Sequence, residues 1–106
     1  MAARRGGRVV TTNPPLRRSV VVQNPNGLHM RPATRFAQQA RVTPHRVTVY
    51  HGEKRADGKS SLDLLMLIAM PGAELWVELD TDESSAEAAE AIRTLCDILA
   101  APGDDC

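Results

Sequence analysis

Apolar positions recur with two different periods along this chain, and the switches between them mark its elements. Ala33, Phe36, Ala37 and Ala40 fall at helical spacing and form one stripe. Pro32 stands in the first turn of that helix, where a missing N–H costs nothing. Pro44 ends it by pushing Thr43 out of the α region. A longer stripe of Ala88, Ile92, Leu95 and Leu99 predicts a second amphipathic helix over 84–99, opened by a capping box of Ser84 and Glu87. Between the two, residues 60 to about 67 read as a short helix with Leu62, Leu65 and Met66 at helical spacing, broken by Met70-Pro71-Gly72. Strands are predicted where the period falls to two. Residues 17–23 form a β-branched run. Over 46–51, Val47, Val49 and His51 alternate with Thr48 and Tyr50. From Leu75, Val77 and Leu79 alternate with Trp76, Glu78 and Asp80. Residues 53–57 are short and polar, as suits an edge strand, with Gly52 and Asp57-Gly58 as the turns on either side. The order β-α-β-β-α-β-α predicts an α+β domain, its three helices packed on one face of a four-stranded antiparallel sheet.

Composition narrows this picture. At 106 residues the chain accommodates one domain, and with only Phe36, Tyr50 and Trp76 as aromatics its core must be mainly aliphatic. The domain is expected over 17–101, with a flexible basic tail over 1–16 and a short C-terminal tail over 102–106. The zero net charge hides a division: residues 1–59 hold 12 Lys or Arg against 2 acids, and residues 60–106 hold one base against 11 acids. Either the surface is dipolar, with a basic region able to meet an acidic partner or a phosphate, or the halves interleave and the field largely cancels. Cys96 lies within a helical pattern and Cys106 is the last residue, so neither a disulfide framework nor a metal site is expected, and a reducing, cytoplasmic setting is the simplest reading. No apolar run reaches membrane-spanning length, so no membrane association is expected.

The chemistry concentrates at the start of the first helix. Asn24-Pro25-Asn26-Gly27 is a dense turn signal, and His29 follows it at or next to an N-cap. The first backbone amides of a helix have no intrahelical partner, and with the dipole they form an anion site. A phosphoryl group on His29 could be held by the amides of Met30 and Arg31, with the Arg31 guanidinium added. The positive helix end favours neutral imidazole, a competent nucleophile. A lone histidine at a helix start is more often merely a cap residue. What alters that balance is the whole string Asn26-Gly27-Leu28-His29-Met30-Arg31-Pro32-Ala33.

That string resembles the active-site signature of the HPr family, the histidine-phosphorylated carriers of the phosphoenolpyruvate-dependent phosphotransferase system, and the likeness extends over 17–99. The resemblance implies an open-faced β-sandwich and a carrier rather than an enzyme. It matches His29 to the histidine phosphorylated on Nδ1 and Arg31 to the arginine that assists transfer. The donor would be phosphorylated enzyme I, and the acceptors enzyme IIA domains or regulatory equivalents. No cofactor is implied, and a monomer is expected.

A second likeness covers Asp57-Gly58-Lys59-Ser60 with Leu62, Leu64, Leu65 and Met66, which is similar to the family segment carrying a regulatory serine. Ser60 is thereby matched to the target of HPr kinase/phosphorylase, which defines an alternative, regulatory role without sugar transport. Asp63 would repel a phosphate there, Ser61 stands where the family places an apolar contact, and Ser60-x-x-Asp63 is equally a plain helix cap. Partner docking is expected over Met30, Thr34, Ser61, Leu62 and Leu65. Gly58-Lys59-Ser60 is not a nucleotide P-loop: Gly52 and Gly58 enclose five residues, where the motif needs four. Nucleic-acid binding through the basic tail lacks interleaved aromatics and any recognised motif and is not expected. His45 and His51 read as structural or solvated.

Overall fold

The computed structural model describes residues 15–81 and 85–102. The elements are β1 (Leu16–Val21), α1 (Met30–Val42), β2 (Val47–His51), β3 (Lys54–Asp57), α2 (Ser61–Leu65), β4 (Glu74–Leu79) and α3 (Ala86–Ala100). The four strands form one antiparallel sheet in the order β1-β4-β2-β3. The N-terminal strand and the short polar β3 are thus the two edges. Of the tails expected over 1–16 and 102–106, residues 1–14 and 103–106 lie outside the described residues. Leu16, assigned from sequence to the tail, instead opens β1 and is buried against the core.

The alternation in β2 and β4 decides which face of the sheet is covered. Val47, Val49, Leu75, Val77 and Leu79 are fully buried under the helices. The two helical stripes meet them: Ala33, Phe36, Ala37 and Ala40 of α1, and Ala88, Ile92, Leu95 and Leu99 of α3, are all buried. Helix α3 packs on β1, β4 and α1, and α2 bridges α1 and β3. Gly58 makes this closeness possible, because a Cβ there would stand 2.5 Å from Val47 Cγ1 and 3.1 Å from Phe36 Cε1.

Among the described residues, no helix covers the opposite face of the sheet. There the Arg17 guanidinium lies 4.9 Å from the Trp76 ring centre and 5.2 Å from that of Tyr50. The Tyr50 hydroxyl donates to Glu78 Oε1 at 2.6 Å. That hydrogen bond, followed by burial, raises the phenol above its usual value. Arg17 stands opposite Glu78 in the β1–β4 register. On this face Arg17 of β1 and Arg55 of β3 lie to either side of Glu78 of β4 and act with it on Tyr50, so residues of the two oppositely charged halves of the chain interleave here.

Two elements differ from the sequence reading. Helix α3 is capped by Ser85, whose Oγ accepts the Ala88 N–H at 3.1 Å, rather than by Ser84, which lies outside the described residues. Adjacent serines give nearly identical cap signals, and the packing of α3 selects one. Helix α2 is shorter than expected and turns a different face inward: Leu64 is its buried residue, Leu65 is half-buried, and Leu62 and Met66 are exposed. Five helical residues are too few for periodicity to set a face.

Cys96 is a half-buried free thiol in α3, and burial first, then the Asp97 carboxylate, push it up to about 11 from its ordinary 9.0. At pH 8 its thiolate fraction is then about a hundredfold below that of an ordinary thiol. Alkylation of Cys96 by iodoacetamide at pH 8, followed by peptide mass spectrometry, is expected to be slower than that of a free cysteine peptide by a similar factor. Equal rates would contradict the burial. Because the folded value is raised, the associated stability is present below pH 9 and lost as pH rises toward 11.

Candidate functional site

The turn before α1 is built around Asn24, which is 6% exposed. Its side-chain Oδ1 accepts the Asn26 N–H at 2.8 Å, and its backbone carbonyl accepts the Gly27 N–H at 2.8 Å. Gly27 adopts φ +72°, and a Cβ there would lie 2.6 Å from the Ala69 carbonyl oxygen. That same oxygen accepts the Leu28 N–H at 2.9 Å. The turn is therefore fastened to the segment between α2 and β4, and the chain leaves it at His29.

His29 is the N-cap of α1 in extended conformation (φ −112°, ψ −169°), and its carbonyl accepts the Ala33 N–H at 3.0 Å. The ring is half-buried, and its Nε2 lies 3.4 Å from Asn24 Nδ2. No side chain caps this helix and no acid occupies its first turn. The other two helices contrast with it. Ser60 and Ser85 cap α2 and α3 through their hydroxyls, and Asp63 and Glu87 lie in their first turns. Pro32 has no N–H, so the early amides available at the end of α1 are those of Met30 and Arg31. Arg31 is exposed in the same turn. An imidazole thus heads an uncapped, positive helix end with an exposed arginine in the same first turn, features that favour an anion at this place.

Ser60 heads α2, and its Oγ accepts the Asp63 N–H at 3.2 Å. The Asp63 carboxylate in turn accepts the Asp57 N–H at 3.2 Å, and Asp57 Oδ1 accepts the Lys59 N–H at 3.0 Å. Two carboxylates therefore share the turn that carries the hydroxyl. Lys59 Nζ donates to the Thr43 carbonyl at 3.0 Å, and Arg41 Nε donates to the Lys59 carbonyl at 3.0 Å, which ties this turn to the far end of α1 rather than to His29.

Of the residues expected to dock partners, Met30 and Leu62 are largely exposed, while Thr34, Ser61 and Leu65 are half-buried. Thr34 Oγ1 lies 3.5 Å from Met30 Sδ. Ile68 and Met70, which are not among those named residues although the apolar run from Leu62 to Met70 contains them, are also exposed, in the segment bonded to the His29 turn. Ile68 has φ +52°, a costly conformation for a β-branched residue. It is held between two fastenings: His51 Nδ1 lies 2.9 Å from the Leu67 carbonyl oxygen, and the Ala69 carbonyl accepts the Leu28 N–H. His51 thus has a structural contact, as expected. Asn24 was read only as a turn former. The polar residue five positions before His29 was its one signal.

The fold and the site together define a class: an open-faced α+β domain presenting a histidine at an uncapped helix start. Comparison with known proteins gives that class a family. A family model described as "PTS HPr component phosphorylation site" matches residues 16–100. The chain is 38% identical over 84 residues to phosphocarrier protein HPr of Neisseria meningitidis serogroup B, covering 79% of this chain and 90% of that protein. It is 37% identical over 82 residues to phosphocarrier protein NPr of Shewanella violacea, covering 77% and 89%. Its fold superposes on the crystal structure of HPr from Bacillus anthracis with a TM-score of 0.70 at 24% identity, covering 82% of this chain and 99% of that one. The chain belongs to the HPr family of phosphotransferase-system phosphocarriers. Among the described residues no helix is long and apolar enough to cross a membrane.

Proposed function

We propose that this chain relays a phosphoryl group through His29, accepting it from phosphorylated enzyme I and passing it to enzyme IIA-type acceptors. The observation that carries the reading is the contrast among the helices: α1 begins at an imidazole, with no side-chain cap and no acid, where α2 and α3 each have both. An arriving phosphoryl group meets the free amides of Met30 and Arg31 and the Arg31 guanidinium, and no local carboxylate from the first turn of α1 opposes it. Phosphoryl transfer is chiefly a matter of positioning and charge stabilisation, and this small site supplies both. Met30 and Leu62, with Ile68 and Met70, supply exposed apolar surface for a transient partner. Incubation with phosphoenolpyruvate and a cognate enzyme I is expected to give an acid-labile adduct on His29. No adduct, under conditions that label a control carrier, would refute the relay.

Control through Ser60 is the second reading, supported by its place at the head of α2 two residues before exposed Leu62. Phosphate there would displace the Asp63 N–H contact and face the Asp63 and Asp57 carboxylates. Ser60→Ala is expected to cost about 1 kcal/mol of stability through loss of the cap, read by urea denaturation. It is also expected to abolish labelling by an HPr kinase with ATP. Labelling that persists in the mutant removes Ser60 as the site.

A further inference from the structure

We propose that Asn24 is a positioning residue for this relay: its side-chain amide keeps Nε2 of His29 unprotonated, so that Nδ1 is the nitrogen that exchanges a proton for a phosphoryl group. The inference rests on the carrier reading above and adds to it the group that sets the state of the ring.

Asn24 is buried, so its amide must find partners inside the protein. Its orientation is decided by the backbone. Oδ1 takes the Asn26 N–H at 2.8 Å, which leaves Nδ2 as the end facing His29 Nε2 at 3.4 Å. An amide nitrogen offers only N–H, and it can pair only with a ring nitrogen that carries a lone pair. Neutral imidazole has one such nitrogen. With Nε2 in that role, the ring proton of the resting protein sits on Nδ1, the reverse of the tautomer that free histidine prefers in water.

The same contact suits the phosphorylated ring. In transfer from a donor phosphoimidazole, the donor N–P bond breaks as the Nδ1–P bond forms. Nδ1 gives up its proton to water before it attacks, because a ring nitrogen that bears hydrogen has no lone pair to bond with; the departing donor ring takes a proton from water, and Nε2 keeps its lone pair throughout. In the product, Nδ1 carries the phosphoryl group and Nε2 still accepts from Asn24. Protonation of Nε2 would turn the imidazole into a neutral leaving group and hasten loss of the phosphoryl group to water. Asn24 presents a second hydrogen where that proton would arrive, and so opposes it. The 3.4 Å separation lies beyond the usual 2.7–3.2 Å range. The expected effect is accordingly that of one modest hydrogen bond, roughly tenfold.

Asn24→Asp is the decisive variant, because it preserves an acceptor for the Asn26 N–H while replacing the donor by a carboxylate oxygen. Nitrogen NMR of the full chain, at a pH where the ring is neutral, is expected to show His29 mainly as Nδ1–H in the wild type and mainly as Nε2–H in the variant. After labelling with phosphoenolpyruvate and enzyme I, the phosphorylated variant is expected to hydrolyse roughly tenfold faster at neutral pH. A wild-type ring that is mainly Nε2–H, or a phosphorylated variant that decays at the wild-type rate, overturns the assignment. Failure of wild-type protein to take up label overturns the carrier reading instead, and the tautomer measured on unphosphorylated protein still decides the role of Asn24.

Discussion

His29→Ala is expected to take up no phosphoryl group from phosphorylated enzyme I while folding almost as stably as the wild type. A nucleophile cannot be supplied by its surroundings: the amides of Met30 and Arg31 stabilise a phosphoryl group and cannot bond to it covalently. Uptake should therefore fall by at least a thousandfold, to the background of the labelling assay. Stability should barely change. The His29 side chain makes no cap hydrogen bond to α1, and its nearest polar contact is the long approach to Asn24. A loss of no more than about 1 kcal/mol in urea denaturation is expected. Retained labelling at another residue would remove His29 from the relay. Lost labelling together with a collapse in stability would assign it a structural role instead.

Gly27→Ala is expected to damage the site through the backbone, with a loss of about 2–4 kcal/mol in stability. Two costs combine. A left-handed φ of +72° is unfavourable for any residue with a Cβ, by about 1–2 kcal/mol. The new Cβ would also stand 2.6 Å from the Ala69 carbonyl oxygen, a main-chain atom that cannot swing aside. Relief requires the two segments to part, which breaks the Leu28–Ala69 hydrogen bond. Because that bond holds the turn from which His29 projects, the rate of phosphoryl uptake should fall along with the unfolding midpoint. A variant within 0.5 kcal/mol of wild type in urea denaturation would show that the turn is looser than the geometry implies.

How far the sequence disclosed the fold depended on the length of each signal. The stripes of α1 and α3 extend over several turns, and every residue assigned to them is buried. The alternation in β2 and β4 likewise placed Val47, Val49, Leu75, Val77 and Leu79 inside. Helix α2 was legible as a helix but not in its orientation. Leu62, Leu64, Leu65 and Met66 are all apolar, so any face fits a short pattern, and contact with α1 and β3 chose Leu64. At the site, His29 and Arg31 were legible from their positions against the turn and Pro32. The fastening of that turn to Leu28–Ala69, and the exposed Ile68 and Met70 it brings near, join positions some forty residues apart and leave no local trace.

By itself the chain therefore determined which stretches become helix or strand, which faces turn inward where the pattern is long, and that an imidazole stands at or next to the start of the first helix. These follow from interactions within a few residues: periodicity, turn chemistry and caps. Only the tertiary structure decided the strand order β1-β4-β2-β3, the inward face of α2 and the choice of Ser85 as the cap of α3. It also decided that the buried amide of Asn24 points its nitrogen at the His29 ring. Each of those depends on which distant surfaces pack together, and local pattern does not encode that pairing.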